Sequence, residues 1–192
     1  MVLMGGFIMK KICCAGCASM EAAAEYTKQY ICILEEMVCR ISCAKCDGSI
    51  SGNFIRLMMP MQQAAARMAE DVPCYTDDRC TLDLACRIRS ESEEDMRRLD
   101  DVLCCCACIS NCPKDVSGHI RKTGRIHSST VSAMKNACGS CDPARDFRRR
   151  IRLLYCAMAE MIQAAMCYCL CGELCPIMDD MSEHIEYVLN RI

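Results

Sequence analysis

The 192-residue sequence predicts an all-α protein, a single antiparallel helical bundle of five to seven helices. Three observations carry this. Glycine (9) and proline (5) are scarce, tryptophan is absent and aromatic residues make up only 5% of the chain, so little of it suits turns or strands. Ala, Met, Leu, Glu and Arg, all strong helix formers, are abundant. Between the breakers, apolar residues recur at helical rather than alternating spacing. With 53% hydrophobic and 25% charged residues the chain is a folded globular one, long enough for one sizeable core or two small ones.

Residues 1–17 read as a short cysteine-containing N-terminal segment and residues 18–192 as the bundle. The first helix is expected from Ala18 to Cys46, stopped by Asp47-Gly48. Ser51 to Asp71 contains Pro60 and is expected as a kinked helix or two short ones. Thr76 ahead of Asp77 and Asp78 supplies an N-cap, and Ser90 with Glu93 a capping box. Residues 77–112 therefore read as one long helix or two abutting ones, ended by Pro113. A loop with Gly118 and Gly124 follows, then a helix from Ser128 to Ala137. Asp142 caps the next helix with Pro143 at its first position, and Gly172 and Pro176 end it beyond Cys171. The last helix covers 177–190, with Ile177, Met181, Ile185 and Val188 on one stripe.

The chemistry lies in sulfur. Cysteine occurs 22 times and methionine 16 times. Disulfide scaffolds are short, secreted and rich in loops, and the opening MVLMGGFIMKKICCAGC has its lysines after a short apolar stretch, so it does not read as a signal peptide. No window is long enough for a transmembrane span. A reducing cytoplasm is the expected setting, where thiols are free either to bind soft metals or to serve as small apolar fillers.

Position favours the first use. At 100° per residue, Tyr26, Tyr30, Leu34, Met37, Ile41 and Ala44 form one stripe of the first helix, and Cys32, Cys39, Cys43 and Cys46 another, roughly opposite. The helix after Pro143 repeats this, with Phe147, Ile151, Leu154, Met158, Met161 and Ala165 against Cys156, Cys167 and Cys171. Cys104, Cys108 and Cys112 stack at i, i+4 and i+8 in a segment that is apolar all round and so reads as fully buried. Residues four apart on a helix lie within about 6 Å, so a CxxxC pair can clamp a soft ion; Cu(I) is the natural occupant and Zn(II) the competitor.

The rungs Cys13/Cys17, Cys39/Cys43, Cys104/Cys108/Cys112 and Cys167/Cys171/Cys175 resemble the cysteine-lined helices of bacterial four-helix-bundle copper storage proteins. That resemblance implies Cu(I) held inside a bundle. CAGCAS at 14–19 is similar to the copper-loading loop of heavy-metal-associated domains, implying Cys14 and Cys17 as ligands. CAKCDG at 43–48 and CGSCDP at 138–143 are zinc-knuckle-like and together supply four thiolates. The expected metal ligands are thus Cys14, Cys17, Cys39, Cys43, Cys46, Cys104, Cys108, Cys112, Cys167, Cys171 and Cys175, and the expected partners are metal ions; a homo-oligomer is compatible with this reading.

Charge is segregated. Residues 114–152 hold ten basic and three acidic side chains, while 71–113 hold five basic and ten acidic. Arg148, Arg149, Arg150 and Arg152 with Arg121, Lys122 and Arg125 could grip phosphate, but no aromatic side chains interleave them, which argues against nucleic acid. HIRKTG at 119–124 is similar to a histidine phosphotransfer motif, with its glycine one residue late. With three histidines and no GxSxG, Walker or Rossmann pattern, no enzyme is expected. An alternative is carried by MDDMSEHIEYVLNRI and LDDVL, which resemble helices of the PhoU-like phosphate-transport accessory family, implying a regulatory bundle with incidental cysteines.

Overall fold

The computed structural model describes residues 15–137 and 139–192, with side chains from Met20 onward. Its regular elements are helical: α1 (Ala15–Cys43), α2 (Ile50–Asp71), α3 (Arg79–Ala107), α4 (Pro113–Lys135), α5 (Pro143–Ala165) and α6 (Cys175–Leu189), with a 3-10 turn at Val72–Cys74. The six helices stack as two layers of three. α1 packs on α2 and α2 on α3, α4 packs on α5 and α5 on α6, and across the layers α1 faces α4, α2 faces α5 and α3 faces α6. The all-α bundle expected from composition is the observed architecture.

α2 is the centre of this arrangement, and its sequence shows why. Ile50, Phe54, Ile55, Leu57, Met58, Met61, Ala65 and Met68 cover most of its circumference and are all buried, leaving Arg56, Gln63, Arg67 and Glu70 on one narrow outer stripe. A helix apolar over so wide an arc must be enclosed on most of its sides. Pro60 stays inside one continuous helix rather than breaking it. Ser49 caps the start, its hydroxyl accepting from Gly52 N–H at 3.1 Å.

On α1 and α5 the two stripes separate as their periodicity predicts. Tyr26, Tyr30, Leu34 and Met37 are buried while Cys32, Cys39 and Cys43 are exposed, and Phe147, Ile151, Leu154, Met158 and Met161 are buried while Cys156 is exposed. Asp142 caps α5 by accepting from Arg145 N–H at 3.1 Å, with Pro143 in the first turn. Each buried aliphatic or aromatic side chain of this kind contributes about 1.5–3 kcal/mol.

Elsewhere the boundaries shift. α1 ends at Cys43, so Cys46 is off the helix. α3 is capped by Asp78 rather than Thr76, the carboxylate accepting from Thr81 N–H at 3.0 Å, and it runs through Ser90, which caps nothing. It ends at Ala107, five residues before Cys112, which precedes Pro113 and is held extended (φ −57°, ψ 134°). Pro113 begins α4 instead of merely ending α3, and the expected loop at 114–127 is helix. Its buried face of Val116, His119, Thr123, Ile126, His127, Thr130 and Met134 follows helical spacing. The polar members hide that face from a hydropathy pattern, but Thr123 and Thr130 donate their hydroxyls to the carbonyls of His119 and Ile126 and bury as apolar groups. α5 stops at Ala165, six residues before Cys171.

A polar cluster interrupts the core where α2, α3, α5 and α6 meet. Gln62 Nε2 donates to Asp95 Oδ2 at 2.9 Å, and the Tyr155 and His184 rings meet edge to face at 5.7 Å. Gln62 Oε1, Ser92 Oγ, Tyr155 OH and His184 Nε2 are buried there without protein partners. Among the described residues no helix is long and apolar enough to cross a membrane.

A candidate metal centre at one end of the bundle

Antiparallel packing brings three connections, 44–49, 108–112 and 166–174, to the same end of the molecule. Asn111 ties them together. Its N–H donates to Gly48 O (2.9 Å), its Oδ1 accepts from Ile50 N–H (2.8 Å) and its Nδ2 donates to Cys169 O (2.7 Å). The first turn of α2 fixes the flanks: Ser49 Oγ donates to Cys106 O at 2.6 Å, and Ser51 Oγ accepts from Cys171 N–H at 2.9 Å. Gly52 lets the end of α3 come close, since a Cβ there would sit 3.1 Å from Ala107 Cα.

These constraints place the Sγ atoms of Cys105, Cys106 and Cys171 within 4.8 Å of one another, the one such group of His, Cys, Asp or Glu side chains among the described residues. Cys106 and Cys171 are buried and Cys105 is exposed, so the cluster is walled by protein on one side and open on the other. Each cysteine whose side chain is described carries a free thiol.

The two buried thiols are electrostatically unlike. Burial pushes the Cys106 thiol well up, reinforced by neighbouring Cys171 and Cys105, so it keeps its proton. Burial also acts to raise Cys171, but hydrogen bonds from Cys106, from the N–H groups of Glu173 and Leu174 and from Cys105 outweigh it and bring this thiol down. Cys171 thus lies just ahead of the α6 N-terminus and is the sulfur readiest to carry negative charge, as a thiolate near a helix start is. A metal–sulfur bond of about 2.3 Å puts three trigonal sulfurs roughly 4 Å apart, so these thiols fit one ion with small adjustments. Thiolate donors in this number suit a soft ion.

Of the residues expected as ligands, Cys171 is in the cluster. Cys104, Cys108 and Cys112 do not form a buried rail: all three are exposed, and only Cys104 is on α3, because the helix ends at Ala107. Cys167, Cys171 and Cys175 fall on the connection after α5 and the first position of α6, so they are not one helical stripe either. Cys39, Cys43 and Cys46 are solvent-exposed, and burial together with nearby Asp47, opposed by Arg56, raises the Cys46 thiol. Cys14 lies outside the described residues, as does the side chain of Cys17. The two zinc-knuckle-like segments do not meet. A side chain at Gly139 would press on Thr27, which is 16 residues, or about 24 Å of helix, before Cys43 on α1.

Cys105 and Cys106 were missed by the CxxxC spacing, yet a signal existed. Ile88, Ser92, Asp95 and Leu99 mark the core stripe of α3, and Cys106 comes seven residues after Leu99 on the same face. Ser92 and Asp95 disguise that stripe as polar.

Three of the arginines of the basic segment are absorbed into the fold, while Arg121, Lys122, Arg125 and Arg149 stay exposed. Arg148 pairs with Asp78 and donates to Thr81, fastening α5 to the start of α3. Arg150 is buried over the Tyr30 ring at 3.9 Å with Asp146 beside it, and Arg152 donates to the carbonyl of Ile192 at 2.8 Å. His119 is fully buried and burial lowers it to about 4, which leaves a phosphotransfer partner no access to its ring. No family model matches the chain, and no curated protein or solved structure shows significant similarity to it.

Proposed function

We propose that the protein binds Cu(I) through Cys105, Cys106 and Cys171, as a soft-metal carrier or store without catalysis. The observation that carries this is the convergence of three thiols within 4.8 Å, two of them buried, from segments 65 positions apart in the chain. Three sulfurs match the low coordination numbers that Cu(I) accepts, whereas structural Zn(II) takes four ligands. Cys171 supplies the first thiolate, and an arriving cation drives deprotonation of the other two, so loading releases protons. The exposed cysteines at the same end, Cys104, Cys108, Cys112, Cys167 and Cys175, would then serve as an entry path and as weaker further sites for storage.

The test is an anaerobic Cu(I) titration of the reduced protein against a competing chelator. The expected result is a tight first equivalent with a three-sulfur X-ray absorption signature. Cys106→Ser and Cys171→Ser should each remove that equivalent, while Cys74→Ser and Cys80→Ser, at the other end of the bundle, should not. Blocking the thiols separates this reading from a phosphate-transport accessory role with acidic metal sites, in which metal content would be unchanged. A wild-type protein that fails to compete for the first equivalent overturns the proposal.

A further inference from the structure

α3 begins at the end of the bundle opposite the thiol cluster, and its first turns put Cys80, Asp83, Leu84 and Arg87 at i, i+3, i+4 and i+7, one face of a helix. That face meets the close of α6. Between them lies a cavity of about 270 Å³ lined by Cys80, Asp83, Leu84, Tyr187 and Arg191.

Its two charges are opposite and unpaired. Asp83 and Arg191 line the same space, yet among the described residues neither has an ion-pair partner, whereas nearby Arg87 pairs with Glu91 at 3.6 Å and Asp78 with Arg148. Arg191 is nonetheless held in place. Its backbone N–H donates to Val188 O at 3.0 Å, and its guanidinium lies over the Tyr187 ring at 4.3 Å. A guanidinium resting on an aromatic face keeps its fork of N–H donors free for a carboxylate. Asp83 offers carboxylate oxygens to an ammonium group. Buried Leu84 and the Tyr187 ring make the remaining wall apolar, and Cys80 joins them as a small side chain of similar character.

Size and charge together define the ligand. A cavity of this volume is about 8 Å across, which two hydrogen bonds of about 2.9 Å and one ammonium–carboxylate group fill. A simple amine would answer Asp83 and leave Arg191 unmatched, and a simple acid would do the reverse. We propose that the cavity between the start of α3 and the close of α6 binds a free α-amino acid with an aliphatic side chain, its ammonium group on Asp83, its carboxylate on Arg191 and its side chain against Leu84 and the Tyr187 ring. This site requires no metal.

The test is isothermal titration of the full-length reduced protein with L-leucine, with isopentylamine and isocaproate, which lack the carboxylate and the ammonium group in turn, as comparisons. Saturable one-to-one binding of L-leucine is expected, with each comparison weaker by about tenfold, the effect of losing one charge-assisted hydrogen bond. Asp83→Asn should remove the advantage of L-leucine over isocaproate, and Arg191→Gln its advantage over isopentylamine. Both side chains are exposed, so helicity and melting temperature should stay as in wild type. The Cys105→Ser, Cys106→Ser, Cys171→Ser triple variant should bind L-leucine as wild type does, which keeps this result independent of the metal reading. No binding of L-leucine at millimolar concentration, equal affinity of wild type for L-leucine and either comparison, or full L-leucine affinity in a folded Asp83→Asn or Arg191→Gln protein would each overturn the proposal.

Discussion

Asp95, 4% exposed inside the bundle, is held against its own charge. Burial is the main cause, opposed by Arg98, and it raises the carboxyl from its ordinary 3.8 to about 7. The stability tied to the protonated form is fully present below pH 4 and is lost as pH rises towards 7, a loss on the order of a few kcal/mol. Asp95→Asn keeps an oxygen for Gln62 Nε2 and removes the titration. It should stabilise the protein most at pH 8, by only about a third as much at pH 5 and hardly at all below pH 4, as urea melts of the two proteins at these pH values will show. His119 works the opposite way. Its lowered value, about 4, means that stability present above pH 6.5 is lost as pH falls towards 4, an effect common to both proteins and so cancelled in their difference. At this scale the site was only partly legible in sequence. Cys171 was readable from its spacing, but the roles of Cys105 and Cys106 depend on where α3 stops, and the unequal thiols of Cys106 and Cys171 depend on hydrogen bonds made across the chain.

Two glycines on helices make contrasting predictions for their elements. At Gly52 a Cβ would press on the Ala107 backbone, which cannot move aside as a flexible side chain would. Gly52→Ala should therefore destabilise by about 1–2 kcal/mol despite alanine's better helix propensity, and by displacing the end of α3 it should weaken Cu(I) retention. At Gly124 the space is open, and Gly124→Ala should stabilise by about 0.5–1 kcal/mol, read as a higher denaturant midpoint with unchanged slope. The helical nature of the segments was legible because apolar periodicity is strong on α1, α2 and α5. The second part of α4 was legible as the helix expected from Ser128, but its first part was not, because His119, Thr123 and His127 sit among Val116 and Ile126 on the core face and disguise it as polar. Gly118 and Gly124, read as breakers, are tolerated where the helix meets Tyr168 and an open cavity beside α1.

For the molecule as a whole, the two-layer stack matters through its end. Asn111 joins the 44–49, 108–112 and 166–174 connections, so Asn111→Ala should lower stability by about 1–3 kcal/mol and release Cu(I) at lower chelator concentration than wild type. Thermal melts with and without metal will separate the two effects, because an ion bound only to the folded state raises the melting temperature in proportion to its occupancy. No helical wheel could show this end, since it arises from which segments the antiparallel packing collects. The chain order of that end also has a temporal meaning. A ribosome that has made Cys105 and Cys106 must add α4 and α5 before Cys171 emerges, about 3–13 s of synthesis at ordinary rates. A nascent chain therefore lacks the thiol best suited to anchor an ion until nearly all of its core-forming helices exist. Metal capture at this cluster would mark a finished polypeptide, and a chain broken off before α6 would leave the cell's copper untouched there.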